Sequence, residues 1–273
     1  MLEILTYKNH VNEVIEFGKN GMFINESDLH NFTWNITSKN NRISSFSKGL
    51  TTRSLPIAIA CTSEADGIAK RNKLYEIAEK DVLANKHGTI ILGDYYLKCY
   101  VTASKKSGYL HSKQQMTVTL TVSTDFPHWI KETMTTFNYG AGSQGKNLDF
   151  ENDFPYDYTS NLLGQQLNNT SFVPTNFRMR IYGKCENPKV TIAGHEYEVA
   201  TNIAENEYLT IDSINKTIVL THTDGSNTNC FNLRNKESYI FEKIPVGLNT
   251  VSNNGNFKFD VTLLEERGEP KWT

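Results

Sequence analysis

The sequence predicts a mainly β protein: an N-terminal α+β domain with one helix, followed by a C-terminal β-sandwich of the jelly-roll kind. Three observations predict it. Helical periodicity with matching end signals occurs at 64–85. Short β-branched and aromatic runs with period-two alternation recur on either side of it. After residue 177, turn residues punctuate such runs at short intervals without any helical pattern.

In chain order, early strands lead to a strand at 55–61. Ser63 and Asp66 then form a capping-box pattern, a hydroxyl followed three residues later by a carboxylate. Leu74, Ile77, Ala78 and Val82 recur at helical spacing, and His87–Gly88 reads as the stop signal, a cation followed by a glycine. The helix should therefore present one apolar stripe to a sheet. Strands at 89–92 and 95–102 flank Gly93–Asp94, a hairpin turn. The stretch 115–123 alternates strictly through Met116, Val118, Leu120 and Val122, as a half-buried strand does.

Residues 131–174 are rich in Gly, Asn, Asp, Thr and Tyr and poor in aliphatics, which reads as a linker and entry segment. Beyond it, strands are expected at 178–182, 189–192, 196–200, 208–212, 217–221, 238–244, 248–251 and 257–264. Asp224–Gly225 and Asn254–Gly255 are dipeptides suited to tight hairpins. The expected domains are 1–130, the linker 131–174, a sandwich 175–264, and a tail 265–273 that returns to the N-terminal domain.

Composition excludes several functions. The 273 residues carry a formal net charge of −2, with both signs well mixed. The densest basic stretch is Lys105, Lys106, His111 and Lys113, too thin to displace the counterions of nucleic acid and better read as a solvated hairpin or loop. No run approaches the ~18 apolar residues of a membrane span, and 1–10 does not read as a signal peptide. The expectation is a soluble protein made in a cytoplasm. Cys61, Cys99, Cys185 and Cys230 form no CxxC pair and are expected as reduced thiols acting as small buried hydrophobes.

Motifs of chemistry fail on context. The run Gly140–Asn147 satisfies G-x-G-x-x-G and nearly a phosphate loop. A buried strand should precede it and a helix follow, yet 135–139 is polar and 148–158 contains Pro155. Asn147 also replaces the hydroxyl that would hold magnesium. A flexible inter-domain loop is the better reading. His195–Glu196 lacks the second His of a zinc-protease helix and lies between strand-like runs. Asp149, Glu151, Asp153 and Asp157 lack the Gly and terminal Glu of a calcium loop. No G-x-S-x-G elbow occurs, and nothing singles out a carboxylate pair for glycoside hydrolysis. Tyr156, Tyr158, Phe172, Tyr182, Tyr197, Tyr208 and Tyr239 could stack on sugars, though packing within the sandwich is the simpler role. No catalytic, cofactor-binding or metal-binding residue is assigned, no cofactor is expected, and the protein reads as not an enzyme.

The C-terminal run is the most specific. It reads Ser238-Tyr-Ile-Phe-Glu-Lys-Ile-Pro245-Val-Gly247-Leu-Asn249-Thr-Val251, then Asn254–Gly255, a strand, and Arg267-Gly-Glu269-Pro270-Lys-Trp272. Pro245 fixes φ and Gly247 permits a left-handed turn, so the chain reverses there. With 208–212, 217–220, Asp224–Gly225 and 229–232 upstream, and the order of early strands, helix and hairpin, the chain resembles siphophage distal tail proteins. The resemblance implies an N-terminal belt domain forming a homohexameric ring at the end of the tail tube. It implies a galectin-like or carbohydrate-binding-module-like C-terminal domain that projects outward. The partners it implies are other copies of the chain, tail tube and tail-tip baseplate proteins, and a receptor-binding protein or host cell-wall saccharide, with no nucleic acid and no membrane insertion. The location implied is the virion tail tip, and the role host attachment, with no catalytic residues. Trp272 has no local element to pack on and should dock on the belt domain or a neighbouring subunit. The alternative is a carbohydrate-binding or glycan-cleaving accessory module, which would have no need of the N-terminal α+β domain.

Overall fold

A computed structural model describes residues 5–24, 27–107, 115–138 and 165–271. The chain divides into two units, Met1–Lys131 with Glu266–Thr273, and Glu132–Glu265. Each has its own hydrophobic core. The fold is mainly β, with one α-helix among the described residues.

The first unit opens with a hairpin of β1 (Leu5–Lys8) and β2 (Val14–Phe17). Its period-two pattern buries Leu5, Tyr7, Ile15 and Phe17 on one face. β3 (Met22–Ile24) pairs with β6 (Thr51–Ala60), while β4 (Asn35–Lys39) and β5 (Arg42–Ser47) between them form a separate two-stranded hairpin. The helix α1 spans Glu64–Ala84 and starts as its capping box dictates, Ser63 Oγ accepting from the Asp66 N–H at 3.1 Å. It ends at Ala84, within one residue of the expected 85, but His87–Gly88 is not what stops it. Asn85 adopts the left-handed conformation (φ 51°) and caps the helix, because its short polar side chain tolerates that region, while Gly88 opens the next strand. The inward stripe also shifts: Leu74, Ile77 and Ala78 are buried as expected, but Asp81 is buried and Val82 exposed.

β7 (Gly88–Leu92) and β8 (Tyr95–Ser107) join through Gly93–Asp94, with Leu92 opposite Tyr95 and Gly93 at φ 56°. β8 outruns its expected end. Its first half pairs with β7, its second half with β9 (Gln115–Thr124), and a bulge lies between Val101 and Ala103. β9 also pairs along the whole of β6, and α1 packs on β8 and β6. β10 (Trp129–Phe137) starts with two buried residues, Trp129 and Ile130. From Lys131 on it runs into the stretch expected as linker, because its Thr, Lys and Glu conceal a strand that is half polar. The division between the units falls within β10 and within β21.

The second unit contains β11 (Gln165–Asn169), β12 (Asn176–Tyr182), β13 (Cys185–Glu186), β14 (Lys189–Ile192), β15 (His195–Glu198), β16 (Asn202–Ile203), β17 (Tyr208–Asp212), β18 (Thr217–Thr221), β19 (Asn227–Asn229), β20 (Gly247–Asn253) and β21 (Phe259–Arg267). One sheet runs β19-β18-β17-β12-β21-β10 and another β11-β20-β14-β15, with β13 and β16 paired separately. Phe177, Met179, Ile211 and Val261 of the first sheet share a core with Leu167, Val190, Ile192 and Val251 of the second, which makes a sandwich.

Two expected elements are corrected. Residues 238–244 form turns rather than a strand, with the Glu242 N–H donating to the Tyr239 carbonyl. The run is apolar because Ile240, Phe241 and Ile244 are buried, and burial alone does not specify an extended backbone. Asn254–Gly255 does not close a hairpin, since β20 and β21 lie in different sheets. The Pro245–Gly247 reversal is present, with Gly247 at φ 90°. Asn249 Nδ2 donates to the carbonyls of Pro245 and Gly247, and Asn169 Nδ2 to those of Ile244 and Pro245.

Candidate assembly surface

The β4–β5 hairpin is exposed along its whole length, as is every residue from 31 to 47. Its turn is Asn40–Asn41, both at positive φ (52° and 58°), the left-handed pair that matches the twist of a two-residue hairpin. Ile36 lies directly opposite Phe46 and so shares a face with it. Ile43 stands three residues before Phe46, an odd spacing that would send it to the other face of a regular strand. The register shift at Thr37/Ser38 reverses that: Ile43 pairs with Ser38, which shares the Ile36 face. Ser44 is the extra residue, and its hydroxyl donates to the Thr37 carbonyl at 2.9 Å.

The bulge therefore gathers Ile36, Ile43 and Phe46 on one side, each 58–60% exposed. Trp34 extends the patch, its ring edge-on to Phe46 at 6.4 Å with Lys48 Nζ 4.7 Å above it. Thr37 and Ser45 occupy the other face. Such a hairpin is amphipathic, and among the described residues its apolar side chains stay exposed. At the tip Lys39 and Arg42 are paired across the strands, two like charges directly opposite each other.

A buried anchor lies upstream of the hairpin, beyond the exposed residues 31–34. The Leu29 carbonyl, in a short 3-10 turn at Asp28–His30, accepts from Trp129 Nε1 at 3.1 Å and from Arg53 Nη1. Arg53 is buried, and desolvation lowers its pKa.

A groove of about 250 Å³ lies elsewhere on the same unit, between α1 and the β8–β9 ladder. Leu74, Ala78, Val101, Val118 and Leu120 line it, with Tyr75 and Glu79 on the helix side. Tyr75 is more than half exposed.

Gly140–Asn147, the cluster from Asp149 to Asp157, Tyr156, Tyr158, His111, Lys113 and Trp272 lie outside the described residues. His195–Glu196 belong to β15, a strand, and His195 Nε2 lies 3.0 Å from the Tyr239 carbonyl. Tyr197 is buried and donates to the Glu242 carbonyl, and burial raises its pKa. Tyr182 donates to Asp260 at 2.5 Å, and Tyr208 lies under the Arg180 guanidinium. Tyr239 and Phe172 are exposed. Lys216 Nζ stands 5.3 Å from the Tyr239 ring centre.

A polar chain in the second unit has no signal in the sequence. His222 Nδ1 meets Glu207 at 2.7 Å and its Nε2 meets the Thr228 hydroxyl at 2.9 Å, tying the β18–β19 loop to residue 207. The His222 contact lowers the Glu207 pKa. The cysteines are free. Cys99 and Cys230 are buried, Cys61 and Cys185 half-buried, and burial pushes the Cys99 thiol up to about 12 and Cys185 to about 11. Among the described residues no group of three or more His, Cys, Asp or Glu could hold a metal ion, and no helix is long and apolar enough to cross a membrane.

No protein-family model and no curated protein matches the sequence. Solved structures match nearly all of it. The Dit protein of phage SPP1, described as a paradigm of the hub adsorption apparatus in phages infecting Gram-positive bacteria, has a TM-score of 0.62 at 9% identity, covering 98% of this chain and 100% of that one. A chain of the phage p2 baseplate, in its activated conformation with Ca, gives 0.59 at 13% identity over 95% and 97%. A chain of the same baseplate with Sr gives 0.64 at 12% over 99% and 100%. At such identities the likeness is one of fold, and it extends through both units.

Proposed function

We propose that this protein is a structural component of a phage tail tip, a distal tail protein. Its first unit assembles into a closed ring, of six copies, between the tail tube and the host-recognition apparatus. The observation that carries the reading is the fold likeness to hub and baseplate chains from end to end, covering each of those chains almost completely. The amphipathic β4–β5 hairpin supports it. A surface that is apolar on one side suits a heterologous contact, which closes into a ring when repeated by rotation. The sandwich of the second unit then serves as the attachment point for receptor-binding or other baseplate proteins. The role is architectural, without catalysis.

A carbohydrate-binding or glycan-cleaving module would leave the first unit without a purpose. Native mass measurement and electron micrographs of the purified chain, alongside a glycan-binding screen, separate the two. Rings of six with no glycan retained support the tail-tip role. A chain that stays monomeric at every concentration and binds glycans would overturn it.

A further inference from the structure

We infer that two copies of this chain pair antiparallel through the exposed flank of α1, about a two-fold axis at Tyr75. Helix α1 carries two apolar stripes. Leu74, Ile77 and Ala78 are buried in the core of its own unit. Ile68, Tyr75 and Val82 recur every seven residues, about a quarter turn round the helix from the buried stripe, and all three are exposed. Seven-residue spacing is the pattern by which one helix lies along another. The stripe runs for ~21 Å. Tyr75 also borders the open space between α1 and the β8–β9 ladder, so the flank is accessible beside the helix.

The order of residues on this flank selects a second copy as the occupant. Ile68 and Val82 stand seven residues to either side of Tyr75, and Arg71 and Glu79 four residues to either side. Eleven residues out are Glu64, in the first turn, and Lys86, just past the Asn85 cap. A two-fold contact brings residue i to j and j to i. Antiparallel pairing about Tyr75 therefore sets Ile68 against Val82 of the second copy and Arg71 against Glu79 of the second copy, each twice. A parallel pair would set Arg71 against Arg71 and Glu79 against Glu79, like charges that disfavour it. The two helix dipoles also run opposite ways in the antiparallel pair. The contact goes beyond the ring reading and uses a surface other than the β4–β5 hairpin. In a ring of six it joins two rings, because neighbours round a six-fold axis meet head-to-tail.

Cysteine trapping in the full-length chain tests the axis. Tyr75→Cys should give a disulfide-linked dimer on mild oxidation, joined at residue 75 in both copies and absent from the wild-type chain with its four native thiols. Ile68→Cys should not link to itself, since the two positions stand ~21 Å apart along the pair, beyond the ~7 Å between Cα atoms that a disulfide spans. Mixed with a Val82→Cys chain it should link. Charge reversal tests the register. In the Tyr75→Cys chain, Arg71→Glu and Glu79→Arg should each cut the dimer yield by about tenfold, and the two together should restore it. The restoration cannot arise within one chain, where positions 71 and 79 lie ~12 Å apart along the helix. Circular dichroism checks that α1 survives each substitution. No dimer from Tyr75→Cys, or an equal yield from Ile68→Cys alone, overturns the pairing, as does a yield that neither reversal changes. Rings that form without the residue 75 link overturn the pairing and leave the ring reading standing.

Discussion

Tyr7 on β1 donates its hydroxyl to Asp81 Oδ2 on α1 at 2.5 Å, joining two residues 74 positions apart at the buried face of the helix. The other oxygen, Oδ1, takes the His10 backbone N–H at 2.9 Å and faces the His10 ring at 2.6 Å. A fully buried carboxylate is tolerated because these groups replace its water. Asp81→Ala should cost the first unit about 1–3 kcal/mol for each polar group it leaves without a partner. Denaturant unfolding followed at the helix signal would measure it, and an unchanged midpoint would remove Asp81 from the stabilising set.

The same pair sets a pH response. Burial and the Asp81 contact hold the Tyr7 phenol above its ordinary value. A raised folded pKa contributes stability that is complete below about pH 10 and lost as pH rises through the folded value. Tyr7→Phe should therefore flatten the alkaline limb of the stability profile. Gly88 sits against both residues, and a Cβ there would overlap Asp81 Oδ2 and the Tyr7 hydroxyl. Gly88→Ala should destabilise by about 1–3 kcal/mol through overpacking, with the melting temperature as readout.

At the other end of α1, Asp66 accepts from Lys70 Nζ at 2.8 Å and from the Thr62 N–H at 3.0 Å, and the Lys70 contact leads in lowering its pKa. A depressed folded pKa contributes stability above about pH 4 that is lost as pH falls toward the folded value. Asp66→Asn should remove that acid-side loss. Ser63→Ala should cost about 1 kcal/mol at any pH at which the helix is folded, because it deletes the cap oxygen.

The hairpin separates stability from assembly. Phe46→Ser should change unfolding free energy by no more than about 0.5 kcal/mol, since the ring is exposed in the single chain. Sedimentation of the same variant should show fewer rings. A large loss of stability without a change in assembly would mean that the patch serves the fold of its own chain.

A fragment of residues 132–265 should fold alone, because its core is complete without any residue of the first unit. Its circular dichroism spectrum should show strand and essentially no helix. An unfolded fragment would show that the unit depends on the rest of the chain.

Much of the fold was legible in the residues themselves. The helix, the 115–123 strand, the Gly93–Asp94 turn, the Asp224–Gly225 turn and the reversal at Gly247 follow from periodicity and from residues that cap or turn the chain locally. Such signals are local, so a single sequence carries them. The tertiary structure alone decided that Asp81 lies inward where Val82 was expected, because its partners Tyr7 and His10 come from 71 and more positions away. It alone decided that 238–244 turns rather than extends, since an apolar run signals burial and not backbone shape. The assembly surface was the least legible. Ile36, Ile43 and Phe46 have no regular spacing, and only the bulge opposite Thr37/Ser38 places them on one face, a register that depends on two strands at once.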